Sequence, residues 1–154
     1  MTSQGSNESQ IIKIIHLKVK TDSNIAGQLL SWFEELNEPP LRDQKIWWQC
    51  QTALKEGFDN VVEHAHRDLL PETPIELEAI RSTNTIEIRI WDKGPPFDLE
   101  QQLEKQARPP GPNDPIDDLE DHGRGLWIMK KISDRLTCVR TSDGRNCLQI
   151  VKQY

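Results

Sequence analysis

Three short stretches of this chain carry side chains whose types and spacing could do chemistry. The first is Ala53-Leu-Lys-Glu56-Gly-Phe-Asp59-Asn60-Val-Val-Glu63-His64-Ala65. At about 100° per residue, a helix puts Glu56, Asp59, Asn60, Glu63 and His64 on one face and Leu54, Phe58, Val61, Val62 and Ala65 on the other. The solvated face of an amphipathic helix has this pattern. So does a site for magnesium, which takes a few hard oxygen ligands and lets phosphates complete its shell. A carboxylate one turn away can then accept a proton from an attacking hydroxyl or water.

The second stretch is Ile86-Glu-Ile-Arg-Ile-Trp-Asp92-Lys93-Gly94-Pro-Pro-Phe97-Asp98. A strand delivers Asp92 to its end and Gly94 turns the chain sharply. An ionised aspartate only accepts hydrogen bonds and can take the exocyclic amino hydrogens of adenine. An aspartate that merely opens a turn fits the same letters. The third stretch is Asp121-His122-Gly123-Arg124-Gly125-Leu126-Trp127-Ile128-Met129. Its two glycines stand directly before a helix, whose N-terminal N–H groups suit a phosphate. A flexible joint has the same spelling.

The elements that must hold these stretches follow from apolar periodicity. Residues 11–20 are rich in Ile, Leu and Val and read as an edge-type strand. Asp22 or Ser23 caps a helix over 25–36, which Asn37 to Pro40 ends. A longer helix is expected over 43–68 and carries the first stretch. Alternating Ile75, Leu77 and Ala79, then Ile86, Ile88 and Ile90, predict strands over 75–80 and 85–91, joined as a hairpin by Ser82-Thr83-Asn84. A short helix is expected over 99–106 inside a long loop rich in proline and acids, the kind usually functional or disordered. A third full helix over 125–133 precedes strands over 136–141 and 147–152, whose Asp143-Gly144 connection signals a hairpin. The sum is an α/β (α+β) fold, a two-layer sandwich of a mixed, mostly antiparallel sheet with helices on one face.

The bulk numbers agree with one domain, expected over 11–154, behind a disordered tail over 1–10. The hydrophobic share of 35% is enough for one core, and the net charge of -6 argues against nucleic acid as direct partner. No apolar run is long enough for a membrane span, and 1–10 lacks the order of a signal peptide, so a cytoplasmic protein is expected. Cys50, Cys138 and Cys147 are odd in number and lack metal-ligand spacing, which predicts reduced, partly buried thiols.

The order of the three stretches raises their weight: acid-and-amide helix, strand ending in Asp-x-Gly, long loop, Gly-x-Gly opening a helix, two last strands. That order resembles the ATP-binding domain shared by histidine kinases, gyrase B and MutL (the Bergerat fold). Within it the chain looks most like the anti-sigma regulatory factors that are serine-protein kinases, over residues 11–154. Glu56-x-x-x-Asn60-x-x-x-His64-Ala65, Asp92-Lys-Gly94-Pro-Pro-Phe97-Asp98 and Gly123-Arg124-Gly125-Leu126 match that family's three boxes. The resemblance implies ATP and Mg2+ as ligands, with Asn60 on the metal and Glu56 as base or orienter of the nucleophile. It implies Asp92 as reader of adenine, and Gly94, Gly123, Arg124, Gly125 and Leu126 around the nucleotide. Residues 108–121 would form a lid, and Arg108 and Arg124 are the nearest phosphate-facing cations. It implies a kinase that phosphorylates a small antagonist protein on serine or threonine and sequesters a sigma factor, and relatives often pair as homodimers. The alternative is a non-catalytic, nucleotide-dependent binding module of the same fold. The chain departs from the family at Asp59, Pro96, His122, Asn146 and Cys147.

Overall fold

The computed structural model describes residues 9–105 and 124–154. Residues 1–8 of the expected tail, the expected lid over 108–121 with Arg108, and His122 and Gly123 lie outside the described residues. Strand β1 (Ile11–Lys20) leads to a 3-10 turn over Ser23–Ile25, capped by Asp22, which accepts from Asn24 N–H at 2.8 Å. Helix α1 (Ala26–Glu34) follows and closes with 3-10 bonds, Leu36 N–H to Phe33 O among them. Helix α2 (Gln44–Asn60) starts at Asp43, whose carboxylate accepts from Lys45 N–H at 2.9 Å.

The helix expected over 43–68 does not stay regular. After Asn60 it widens into a π turn over Val61–Ala65, closed by His66 N–H on Val61 O at 2.8 Å. Single π turns inside helices insert one extra residue and often mark functional sites.

Strands β2 (Pro74–Ser82) and β3 (Thr85–Asp92) form the expected hairpin. Helix α3 (Leu99–Lys105), helix α4 (Gly125–Ile132), β4 (Arg135–Arg140) and β5 (Asn146–Gln153) complete the described chain. Gly144, between β4 and β5, has φ of 82°, which glycine adopts without strain.

The strand order is β1-β2-β3-β5-β4 and every pairing is antiparallel, so the sheet expected to be mostly antiparallel is wholly so among the described residues. Ile75, Leu77, Ile86, Ile88, Ile90, Leu148 and Ile150 are buried on the helix side. There they meet Phe33, Leu54, Phe58 and Met129, and Phe33 stacks on Trp47 with ring centroids 4.6 Å apart. The same side-chain alternation leaves the other face of the sheet to water. That face carries a charged ladder: His16 to Glu78 at 2.6 Å, Glu78 to Arg89 at 3.3 Å and Arg89 to Glu87 at 2.6 Å. The aromatic residues divide. Trp32 and Trp47 belong to the core, Trp91 and Trp127 are half-buried, and Trp48 is 43% exposed.

Candidate functional site

The first stretch lies on the last turns of α2. Gly57 lets the helix lie tight on the sheet: a Cβ there would sit 2.7 Å from Ile90 Cδ1 and 3.5 Å from Met129 Sδ. This close approach sets the half-buried Glu56 beside the start of α4. A Cβ on Gly125 would lie 2.9 Å from Glu56 Oε2, so the first and third stretches meet at that point. Asn60, one turn on from Glu56, is half-buried and takes no part in capping the π turn. Asp59 pairs with Lys55 at 3.0 Å on the surface. Glu63 and His64 are exposed, and His64 Nδ1 lies 3.1 Å from Arg67 Nη2. The polar face read from the wheel is thus divided. Glu56 faces the start of α4, Asn60 is half-buried, and Glu63 and His64 face water.

The second stretch is built more rigidly. Asp92 ends β3 at 6% exposure, opposite Asn146 at the start of β5. Its Oδ1 accepts Gly94 N–H at 2.8 Å and Asn146 Nδ2–H at 3.0 Å. Asn146 also donates to Pro95 O at 2.8 Å, and its Oδ1 accepts Phe97 N–H at 3.2 Å and Arg140 Nη1–H at 3.3 Å. Arg140 in turn donates to Gly94 O at 2.9 Å. The Oδ2 atom of Asp92 takes no bond from the described residues. Only Ser133 Oγ is both sealed from solvent and unbonded among them, so Oδ2 stays within reach of a ligand. Gly94 has a separate constraint, because a Cβ there would meet Ala65 O at 2.5 Å. Glycine at this position lets the second stretch pack directly on the π turn that ends the first.

The third stretch supplies the start of α4. Arg124 is the half-buried N-cap and Gly125 the first helical residue, at the positive end of the helix dipole. Leu126 is 1% exposed, so its side chain serves the core. Gly123 lies outside the described residues. The structure therefore groups Glu56 with Gly125, and Asp92 with Gly94.

Sequence reasoning missed two contributors. Arg140 and the buried His66 both hold the Asp92 turn. His66 Nε2 accepts Lys93 N–H at 2.8 Å. On a regular helix His66 would fall beside Asp59 on the polar side; the π turn carries it inward. Asn146 is spelled as a departure from the family, yet it is the residue that bonds the second stretch on both sides.

The family profile of the histidine kinase-like ATPase domain matches residues 20–152. The chain belongs to that family. Among curated proteins it is similar to the serine-protein kinase RsbW of Oceanobacillus iheyensis, 31% identical over 84 residues, which are 54% of this chain and 52% of that protein. It is also similar to RsbW of Bacillus subtilis, 26% identical over 130 residues, 84% of this chain and 71% of the relative. The chain thus spans about half the length of the first of these relatives. Its fold is like that in the crystal structure of RsbU and RsbW domains from Mycobacterium tuberculosis, with a TM-score of 0.56 and 13% identity over 92% of this chain and 32% of that one. The SiaB–SiaC complex from Pseudomonas aeruginosa contains a similar fold, with a TM-score of 0.54 and 10% identity over 94% and 91% of the two chains. No helix among the described residues is long and apolar enough to cross a membrane.

Proposed function

We propose that this chain binds ATP with Mg2+ between α2, the end of β3 and the start of α4, and uses it as a serine/threonine protein kinase. Its substrate is a small antagonist protein, and its other partner is a sigma factor that it sequesters. The observation that carries the nucleotide reading is Asp92: a buried carboxylate locked through Oδ1, with Oδ2 left to accept from an amino group. Its acceptor-only chemistry matches the exocyclic amine of adenine.

The remaining residues fit the other end of the nucleotide. Glycine at 125 leaves room beside Glu56, and the first turn of α4 favours negative charge. Among the described residues no cluster of three or more His, Cys, Asp or Glu side chains could hold a metal. The Asn60 amide oxygen instead suits Mg2+, which binds through few protein ligands and the phosphates. When bound, Mg2+ would neutralise charge on those phosphates. Glu56 orients the attacking hydroxyl or accepts its proton. RsbW of Bacillus subtilis is named a serine-protein kinase, which supports the kinase reading for this chain.

Thermal unfolding with and without Mg-ATP, in the wild type and in Asp92→Asn, tests the site. The variant keeps an oxygen for Gly94 N–H and Asn146 Nδ2–H, so it should fold. At a hundred times its dissociation constant, a ligand of the folded state stabilises by about 2.7 kcal/mol, a rise of several degrees for a domain of this size. The wild type should shift and Asp92→Asn should not. No shift in the wild type at millimolar ATP removes the nucleotide reading. Transfer of labelled phosphate to a serine of an antagonist protein, lost in Glu56→Gln, then separates a kinase from a module that only binds.

A further inference from the structure

His66 is 2% exposed and both of its ring nitrogens are bonded. Nδ1 lies 2.8 Å from Thr21 Oγ1, and Nε2 lies 2.8 Å from the backbone nitrogen of Lys93. Thr21 commits its one hydroxyl proton to Thr73 O at 2.7 Å. Its oxygen must therefore accept from Nδ1. The Lys93 N–H can only donate, so Nε2 must present its lone pair. The imidazole is neutral, and its tautomer is fixed by neighbours from three other segments of the chain. A proton added to Nε2 would set one N–H against another.

Lys93 N–H belongs to the peptide that joins Asp92 to Lys93, and the next amide, Gly94 N–H, bonds Asp92 Oδ1. Two consecutive amides of the turn are thus held, one by His66 and one by the proposed adenine reader itself. Losing the first frees the turn to rotate, and with it the direction in which Asp92 presents Oδ2.

We propose that His66 is a positioning residue for the nucleotide site and that only its neutral form holds Asp92, Lys93 and Gly94 in the binding geometry. Acidification then weakens nucleotide binding through this one side chain. The inference rests on the nucleotide reading above. Among the described residues, two charged groups act on the ring. Asp92 favours its proton and Lys93 opposes it, while Thr21 and Thr73, from the segments at the other edge of the ring, bring no charge. Burial has the largest influence and lowers the pKa below the ordinary histidine value. Between the two values the unfolded chain binds more protons than the folded one. The stability contributed by neutral His66 is complete above the ordinary value of about 6.5 and is lost as pH falls below it towards the folded value.

The test measures Mg-ATP affinity from pH 8 to pH 5 in the full chain, as wild type, His66→Gln and His66→Phe. Glutamine can offer Lys93 N–H an oxygen that does not titrate, so at pH 8 it should bind close to wild type. Phenylalanine offers no acceptor and should bind about tenfold more weakly across the range. The wild type should lose more affinity on acidification than His66→Gln does; the comparison cancels titration of the nucleotide. Equal pH slopes in wild type and His66→Gln overturn this inference alone. No binding by any of the three at pH 8 sinks the nucleotide reading and this inference with it. Imidazole 15N shifts in the wild type at pH 8 give a check that needs no variant: the Nδ1–H form is expected, and an Nε2–H form overturns the assignment.

Discussion

Asn146 shows how much one side chain can hold at this site. Its amide makes four hydrogen bonds, to Asp92 and Pro95 as donor and from Phe97 and Arg140 as acceptor, at 2% exposure. Removing it leaves Pro95 O and Phe97 N–H without that partner in a site closed to most water. Asn146→Ala should therefore cost about 1–3 kcal/mol, the penalty for stranding buried polar groups. Thermal unfolding should show a drop of several degrees, with nucleotide affinity reduced as well; an unchanged midpoint would mean the amide is not needed to hold the turn. Asp92, Gly94, Glu56, Asn60 and Gly125 could be picked from the sequence because their types already suggest a task. His66 could not, since a histidine one residue beyond a known box has no spelling that distinguishes it from solvent-facing neighbours. Asn146 could be picked only as an oddity. Its meaning comes from lying opposite Asp92 in the β3–β5 register, a pairing that local sequence does not specify.

At the level of elements, the alternating Ile and Leu of β2 and β3 made the strands legible to within two residues at each end. The expected hairpins formed because turn residues stand between strands of opposite direction. The π turn after Asn60 was not legible, because helix propensity and periodicity carry no signal for one inserted residue. It is the contact of Ala65 with Gly94 that this turn makes. Ala65 O is backbone and cannot swing aside, so Gly94→Ala must push two elements apart. Overpacking of this kind costs about 1–3 kcal/mol, sometimes more. Urea unfolding of Gly94→Ala should show that loss of stability. By contrast Gly125→Ala meets, among the described residues, only the far end of the Glu56 side chain and should unfold close to wild type. Equal stability of Gly94→Ala and wild type would show that the π turn and the Asp92 turn are not pressed together.

For the whole molecule, the three cysteines report how well the described core is closed. All three are free thiols, with Cys50 and Cys147 buried and Cys138 half-buried. Burial pushes Cys50 up to about 12, and Cys138 and Cys147 to about 11. Thiolate is the reactive form, so little of it exists in the folded protein near neutrality. Ellman's reagent at pH 8 should label the native chain slowly, Cys138 first, and all three rapidly in denaturant. Fast labelling of three thiols without denaturant would mean the core opens far more readily than its packing implies.

Asp92 and Asn146 are 54 positions apart, and they belong to two different hairpins. Each hairpin can form early from local contacts, but the β3–β5 ladder that joins them closes a long loop. In the nucleotide reading proposed above, a ligand held by Asp92 needs that junction zipped to its last pair, so the grip belongs to the late part of folding. Interactions absent from the transition state leave the folding rate alone and slow unfolding instead. Ligand would thus act on this chain as a brake on escape from the native state, prolonging its lifetime without hastening its birth.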